Sequence, residues 1–267
     1  MAPGPKAATP GLLDELWPRE GEDLCWLSGD WRILQRVDGH RWSLDDLVTA
    51  WFAARQCATP PARTLDLGCG IGTVMLLTAW RFPLARTLGI EAQEVSARLA
   101  ERSIAWNGVG DRCHVRHADF READAIDETR FELVTGTPPY FRRGAGTESD
   151  HVQRGPCRFE HRGGIEDYCR AAARVLAPGA PFVACESAGQ DARVAGAASQ
   201  AGLSIERWRE IIPRAGKPPL IVVFSMRRSG EAAPRTDDSP LTVRDLSGRR
   251  TPEFNALRTS MGIPDNG

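Results

Sequence analysis

Between Asp66 and Gly72 the chain reads Asp-Leu-Gly-Cys-Gly-Ile-Gly, three glycines at alternate positions behind a carboxylate. Gly68, Gly70 and Gly72 let the backbone turn tightly and approach a ligand with no Cβ in the way. In doubly wound folds such a loop, following the first strand, cradles a nucleoside cofactor. Asp66 can face an ammonium group, directly or through water. Glu91, closing the next apolar run, can accept both hydroxyls of a ribose. Asp119, after a third run, can accept from an adenine amine, with Ile71 or Phe120 against the ring. Cys69 and Ala92 complete the expected cofactor contacts.

A second string, Thr137-Pro138-Pro139-Tyr140-Phe141, follows a fourth apolar run. Consecutive prolines fix a rigid stretch whose carbonyls have no ladder partner and can accept from an amine. Tyr140 offers a flat face on which a base or an amide can stack. The glycine loop alone fits a methyl-donor site, an NAD site or a structural turn. The Pro-Pro-Tyr string alone fits an ordinary strand end. Together they favour transfer of a methyl group from S-adenosylmethionine to a nitrogen, leaving S-adenosylhomocysteine. No paired-acid, Ser-His-Asp or metal-ligand spacing is present elsewhere, so no metal is expected.

The elements that position these strings follow from hydrophobic patterning. Strands are expected at 64–67, 87–91, 114–117, 131–135, 181–185, 204–212 and 220–226, with helices near 73–82, 93–106, 166–176 and 190–201. Alternating strand and helix predicts an α/β, doubly wound, mostly parallel sheet of seven strands whose last strand is antiparallel. Ahead of it, residues 11–60 form a tryptophan-rich extension. A hairpin turns there at Ser28-Gly29-Asp30, and a helix opens with a Ser43/Asp46 capping box. Residues 1–10 read as a disordered tail, 61–228 as the main domain, 229–240 as a linker and 241–267 as a C-terminal tail.

Composition narrows the class. The chain has 267 residues, 42% hydrophobic and 26% charged, with a net charge of −1. No global field therefore draws it to nucleic acid, and any RNA contact must come from a local patch. Lys6 and Lys217 are the only lysines. The arginine bias runs over the whole chain, as a GC-rich coding background would give. The 7 cysteines are scattered and never spaced Cys-x-x-Cys, which fits reduced thiols in a cytoplasm. No apolar run is long enough to cross a bilayer.

Asp/Glu-x-Gly-x-Gly-x-Gly followed by Asn/Asp/Ser-Pro-Pro-Tyr is the signature of amino-methyltransferases that modify adenine N6 or glutamine amides. More closely, the chain resembles the bacterial tRNA valine adenine N6-methyltransferase family. Gln35 with Gly39-His40-Arg41-Trp42-Ser43-Leu44-Asp45 is similar to that family's Gln…Gly-Tyr-Arg-Phe-Ser-x-Asp segment. Phe141 extends the match, and Arg158-Phe159-Glu160 resembles its Ala-Arg-His-Glu region. The likeness covers residues 23–228 and 241–263. It implies a Rossmann-like methyltransferase sheet, cytoplasmic location and a tRNA partner. It also implies that Arg41, Asp45 and Thr137 join the cofactor contacts. Thr137, Pro138, Pro139 and Tyr140 would form the catalytic stretch, and Tyr140, Phe141, Arg142, Arg143 and Arg158 would meet the substrate.

One residue departs from the pattern: the family's Asn is Thr137 here. An amine conjugated to a ring is a poor nucleophile, and an Asn carbonyl with the next proline carbonyl can hold its two hydrogens. Threonine is shorter and reaches less well. Reduced activity, a different acceptor (a protein amide or a small amine) and cofactor binding without turnover all remain open.

Overall fold

The computed structural model describes residues 16–122, 124–126, 130–140, 160 and 163–264. The expected substrate contacts Phe141, Arg142, Arg143 and Arg158 lie outside the described residues.

The chain opens with an antiparallel hairpin, β1 (Glu22–Ser28) and β2 (Trp31–Arg36). Gly29 turns it at φ 54°, and a Cβ there would lie 2.7 Å from the Trp80 indole nitrogen. α1 (Leu44–Gln56) starts at the expected Ser43/Asp46 capping box, with Asp46 accepting from the Ser43 amide at 2.9 Å. Its first turn carries Asp45 and Asp46, the favourable sign for a helix N-terminus.

Strand and helix then alternate: β3 (Arg63–Leu67), α2 (Thr73–Arg81), β4 (Arg86–Glu91), α3 (Glu94–Asn107), β5 (Cys113–His117) and β6 (Leu133–Gly136). There follow α4 (Ile165–Val175), β7 (Phe182–Ser187), α5 (Asp191–Gln200), β8 (Leu203–Ile212) and β9 (Ile221–Arg228). β10 (Thr236–Thr242) and α6 (Pro252–Ser260) complete the described chain. The main sheet has the order β10-β8-β9-β7-β6-β3-β4-β5. All its pairings are parallel except those of β9 with β7 and β8.

Alternate side chains of the strands feed two cores, one on each face. Leu133, Val183, Cys185 and Val223 join α1, α2 and the hairpin on one face. Leu65, Leu67, Ile90, Val134, Phe182 and Phe224 join α4 and α5 on the other. Each fully buried side chain of this size stabilises the fold by about 1.5–3 kcal/mol. The sheet is thus covered on both faces, as continuous apolar strands require.

The expectation of seven strands needs one correction. The end of the segment read as a linker and the first two residues of the expected tail, together Thr236–Thr242, pair parallel with β8 as an eighth strand. The antiparallel strand is therefore β9, and it is followed by one more parallel strand. β10 was hidden because it carries Asp237, Asp238, Ser239 and Pro240, mostly exposed. It is an edge strand, and a proline is tolerated there because its missing N–H faces no partner.

Six cysteines (Cys25, Cys57, Cys69, Cys113, Cys169 and Cys185) are free thiols. Among the described residues no helix is long and apolar enough to cross a membrane.

Candidate active site

β3, β4 and β6 run parallel side by side, so Leu67, Ile90 and Gly136 end together at one edge of the sheet. The segments that leave them form a cleft of about 690 Å³, counted out to its open mouth. Gly68, Cys69, Gly70, Glu91, Ala92, Asp119, Phe120, Thr137 and Pro139 line it. The two sequence strings therefore meet in one cleft.

The glycine loop is built as the spacing demands. Gly68, Gly70 and Gly72 have φ of 59°, 56° and 89°, the left-handed region that side-chain-bearing residues avoid. The Cys69 amide donates to the Ile90 carbonyl at 3.0 Å, tying the loop to β4. A Cβ on Gly70 would meet nothing within 4 Å, so the loop presents bare backbone to open space. Gly72 caps α2, and Thr73 of its first turn lines the same cleft.

Glu91 is buried, yet both its oxygens are held. Oε2 accepts from the Gly70 amide at 2.8 Å and Oε1 from the Gln93 amide at 2.6 Å. Those two main-chain bonds fix the carboxylate in the wall of the cleft between the glycine loop and the end of β4. Asp119 is gripped by the Arg121 guanidinium, which donates to both carboxylate oxygens. Phe120 stands edge-on to Tyr168 with ring centroids 4.6 Å apart.

Asp66 sits lower than its expected position facing a ligand. It does not line the cleft; it lies beneath the loop, 3% exposed. Oδ1 accepts from the Thr135 hydroxyl at 2.8 Å and Oδ2 from the Met75 amide at 3.1 Å. It thereby pins β3, β6 and α2 together at the turn. Burial is the main reason its carboxyl is pushed up to about 7, against the pull of those two hydrogen bonds.

At the far wall Pro138 is buried while Thr137, Pro139 and Tyr140 are half-buried. The Tyr140 hydroxyl lies 2.9 Å from Asp45 Oδ2 and 3.2 Å from Cys185 Sγ. Burial and those neighbours push the phenol well above its ordinary range, so it keeps its proton and donates to Asp45. Asp45, expected among the cofactor contacts, is outside the cleft lining and holds Tyr140 instead. Arg41, expected beside it, is also outside the lining and pairs with Asp23 at 2.8 Å.

Sequence reasoning passed over His40, Asp46, Thr73, Gln93, Gly163 and Tyr168, which also line the cleft. Tyr168 is the informative omission. A Cβ on Gly136 would lie 2.6 Å from its ring, and one on Gly68 would collide with its hydroxyl. The two glycines thus admit the ring against the strand ends. Gly136, directly before the Thr-Pro-Pro-Tyr string, was the available signal. Asp46 was visible only as a cap; burial raises its carboxyl well above the usual range.

Comparison with known proteins decides what kind of cleft this is. A family model described as a methyltransferase domain matches residues 64–142, from β3 through Tyr140. Residues 64–142 thus resemble a methyltransferase domain. A domain of that kind goes with S-adenosylmethionine as cofactor, and the residues present fit it: bare backbone at Gly70 facing open space, and the Glu91 carboxylate held in the cleft wall beside it. Curated relatives carry the name tRNA1(Val) (adenine(37)-N6)-methyltransferase. The one from Porphyromonas gingivalis is 30% identical over 49% of this chain and 52% of its own, so the chain spans about half the length of that relative. The Vibrio cholerae relative is 28% identical over 63% of this chain and 69% of its own. The Dickeya chrysanthemi relative is 26% identical over 79% and 83%. Among solved structures, a predicted O-methyltransferase from Agrobacterium tumefaciens shares the fold of the domain and its extensions. Its TM-score is 0.63 at 22% identity, covering 84% of this chain and all (100%) of that one.

Proposed function

We propose that this chain is an S-adenosylmethionine-dependent N-methyltransferase whose acceptor is adenine N6 in tRNA, acting in the cytoplasm. The observation that carries the reading is the meeting of the glycine loop with Thr137 and Pro139 across one cleft, at the ends of neighbouring strands β3 and β6, with Tyr140 next in the chain just outside the lining. The names of the curated relatives support tRNA as the substrate.

The bound cofactor supplies an electrophilic methyl group on a sulfonium sulfur. The residues do the rest by holding and orienting. Glu91 takes the ribose hydroxyls, and Gly68, Cys69, Gly70 and Ala92 supply close main-chain walls. Gly72 shapes the turn that presents them. Asp119 accepts from the adenine amine and Phe120 covers the ring edge. Asp66 keeps the loop in register and adds negative charge beneath the amino-acid end.

On the acceptor side, a base swung out of its stack lies against Tyr140. The Pro138 carbonyl and the Thr137 hydroxyl accept the two amine hydrogens, and Pro139 keeps that corner rigid. Holding both hydrogens turns the nitrogen lone pair out of conjugation with the ring, toward attack. Positioning and hydrogen bonding of this kind supply most of the rate in a displacement at a methyl group. Phe141, Arg142, Arg143 and Arg158 extend the acceptor side in this reading, the arginines toward phosphate.

Labelled cofactor incubated with unmodified tRNA tests the proposal. Label in RNA, recovered as N6-methyladenosine by mass spectrometry of nucleosides, is the expected result. No label in RNA at micromolar enzyme overturns it. Thr137, in place of the family's Asn, favours one second reading, in which the same chemistry serves a protein amide or a small amine. Label in the protein or small-molecule fraction is its outcome.

A further inference from the structure

The N-terminal extension reaches the acceptor wall at one point. Asp45, in the first turn of α1, divides its two oxygens between Ser43, whose hydroxyl donates to Oδ1, and Tyr140, whose hydroxyl donates to Oδ2 at 2.9 Å. α1 itself is fixed at that end by the Ser43/Asp46 box and along its length by Leu47, Val48, Trp51 and Phe52 in the core. Cys185 of β7, one strand over from β6, closes the other side of the phenol at 3.2 Å. Its thiol is pushed up by burial and stays protonated, so it donates to the Tyr140 oxygen while that oxygen donates to Asp45. The ring is therefore held at its tip, from both sides, in a residue that is half-buried and follows Pro139 of the cleft wall directly in the chain.

We infer that Asp45 is a positioning residue for the acceptor, which acts by fixing the Tyr140 ring plane rather than by touching the cofactor. The inference rests on the proposed stacking of the target base on Tyr140. A ring with a free tip rocks about its Cα–Cβ and Cβ–Cγ bonds. A base stacked on it then samples angles in which its amine misses Thr137 and Pro138. A hydrogen bond to a charged acceptor removes that freedom, and a small misplacement of a reacting group is costly in rate. The same geometry explains why the Ser-x-Asp spacing matters: Ser43 holds one Asp45 oxygen and so aims the other at Tyr140.

The test compares Asp45→Ala, Asp45→Asn, Tyr140→Phe and the Asp45→Ala/Tyr140→Phe double variant with the wild type. Each single loss should lower turnover on the acceptor by about 10- to 100-fold, the worth of one charge-assisted hydrogen bond. The double variant should be no slower than either single one, because both remove the same contact. Asp45→Asn, whose amide oxygen still accepts, should recover part of the loss. Affinity for S-adenosylhomocysteine by calorimetry should stay within about two-fold of wild type across the set, well below that hydrogen-bond effect.

Losses that multiply in the double variant, or an Asp45→Ala affinity for S-adenosylhomocysteine that falls as far as turnover does, overturn the inference. Hydrogen exchange of a peptide over 133–140 needs no acceptor. It should quicken in Asp45→Ala and in Tyr140→Phe, and unchanged exchange overturns the tether. A wild type that exchanges slowly but labels no RNA defeats the tRNA reading and leaves the tether standing.

Discussion

Asp66 and Glu186 are buried carboxyls whose acidity burial weakens, each pushed up to about 7. Glu186 is wholly buried, and its Oε2 has no hydrogen-bond partner. In the unfolded chain both titrate near the ordinary carboxyl value of about 4. Between the two values the folded protein holds protons that the unfolded chain has lost, so stability falls as pH rises. Their contribution is complete below about pH 4 and is lost as pH passes through 7. Thermal midpoints should therefore drop from pH 6 to pH 8.5, and Asp66→Asn should shrink the drop. An ammonium group bound above Asp66 favours the ionised carboxylate. S-adenosylhomocysteine affinity should then climb through pH 7 in the wild type and lose that climb in Asp66→Asn. A pH-independent affinity in both would assign Asp66 to the loop's architecture alone. Thr137 is a second residue-scale question. Restoring the longer amide acceptor in Thr137→Asn should raise turnover on adenine by about 10- to 150-fold, the value of one regained hydrogen bond. A fall instead would mean that the site is shaped for another acceptor.

β6 and α4 are fitted to each other through Gly136 and Tyr168. A methyl group on Gly136 would stand 2.6 Å from the Tyr168 ring, which is itself 4% exposed and packed on Phe120. Gly136→Ala should lift α4 from the sheet edge at a cost of about 1–3 kcal/mol, the range for overpacking. That lowers the melting midpoint by several degrees, and it should also weaken S-adenosylhomocysteine binding because Tyr168 lines the cleft. Gly196 within α5 is the contrasting case. A Cβ there meets nothing within 4 Å, so Gly196→Ala should stabilise by about 0.5–1 kcal/mol through helix propensity. Differential scanning calorimetry of the pair should show shifts of opposite sign. These elements also mark what the sequence could and could not disclose. The parallel strands were legible because both their faces are buried, which writes a continuous apolar run. β10 was not, because an edge strand is specified by backbone pairing and its exposed side chains read as a linker. Gly68, Gly70, Glu91, Thr137 and Pro139 were legible as residues that would share a cleft, because each closes or follows a parallel strand. Asp66 and Asp45 were legible as important carboxylates, but their partners, Thr135, Met75 and Tyr140, depend on which side of a strand or helix each faces. No local spacing gives the distance between a helix N-terminus and a strand end that lie 95 positions apart in sequence.

The two ends of the described chain lock together, which makes the molecule more than a domain with appendages. The Ser28 hydroxyl donates to the Met261 carbonyl at 2.5 Å, and the Gly29 amide donates to the Gly262 carbonyl at 2.8 Å. Trp80 of α2 fills the angle between them. A Cβ on Gly262 would lie 2.5 Å from its ring, and one on Gly29 would be 2.7 Å from its nitrogen. The C-terminal segment thus clasps the turn of a hairpin whose β2 amides, at Arg32 and Leu34, also donate to Asn107 and Ser103 of α3; α6 starts at Thr251, whose hydroxyl accepts from the Phe254 amide at 3.2 Å. Phe254, Leu257, Met261 and Ile263 are exposed by 6%, 2%, 1% and 3% and belong to the same core as α1 and the hairpin. Their four burials contribute about 6–12 kcal/mol on a transfer scale, an upper bound because unfolded chains already bury some apolar surface. A domain of ordinary stability has about 5–15 kcal/mol in all. Ending the chain after Thr251 should therefore abolish cooperative folding, even though every residue of the glycine loop and the Pro-Pro-Tyr string is kept. Ser28→Ala, which removes a single clasp, should cost only about 1 kcal/mol and leave a sharp transition. Far-UV circular dichroism with thermal melts separates these outcomes. A truncated chain that still melts cooperatively near the full-length midpoint would show that the hairpin and α1 hold their places, and so Tyr140 holds its tether, without the C-terminal clasp.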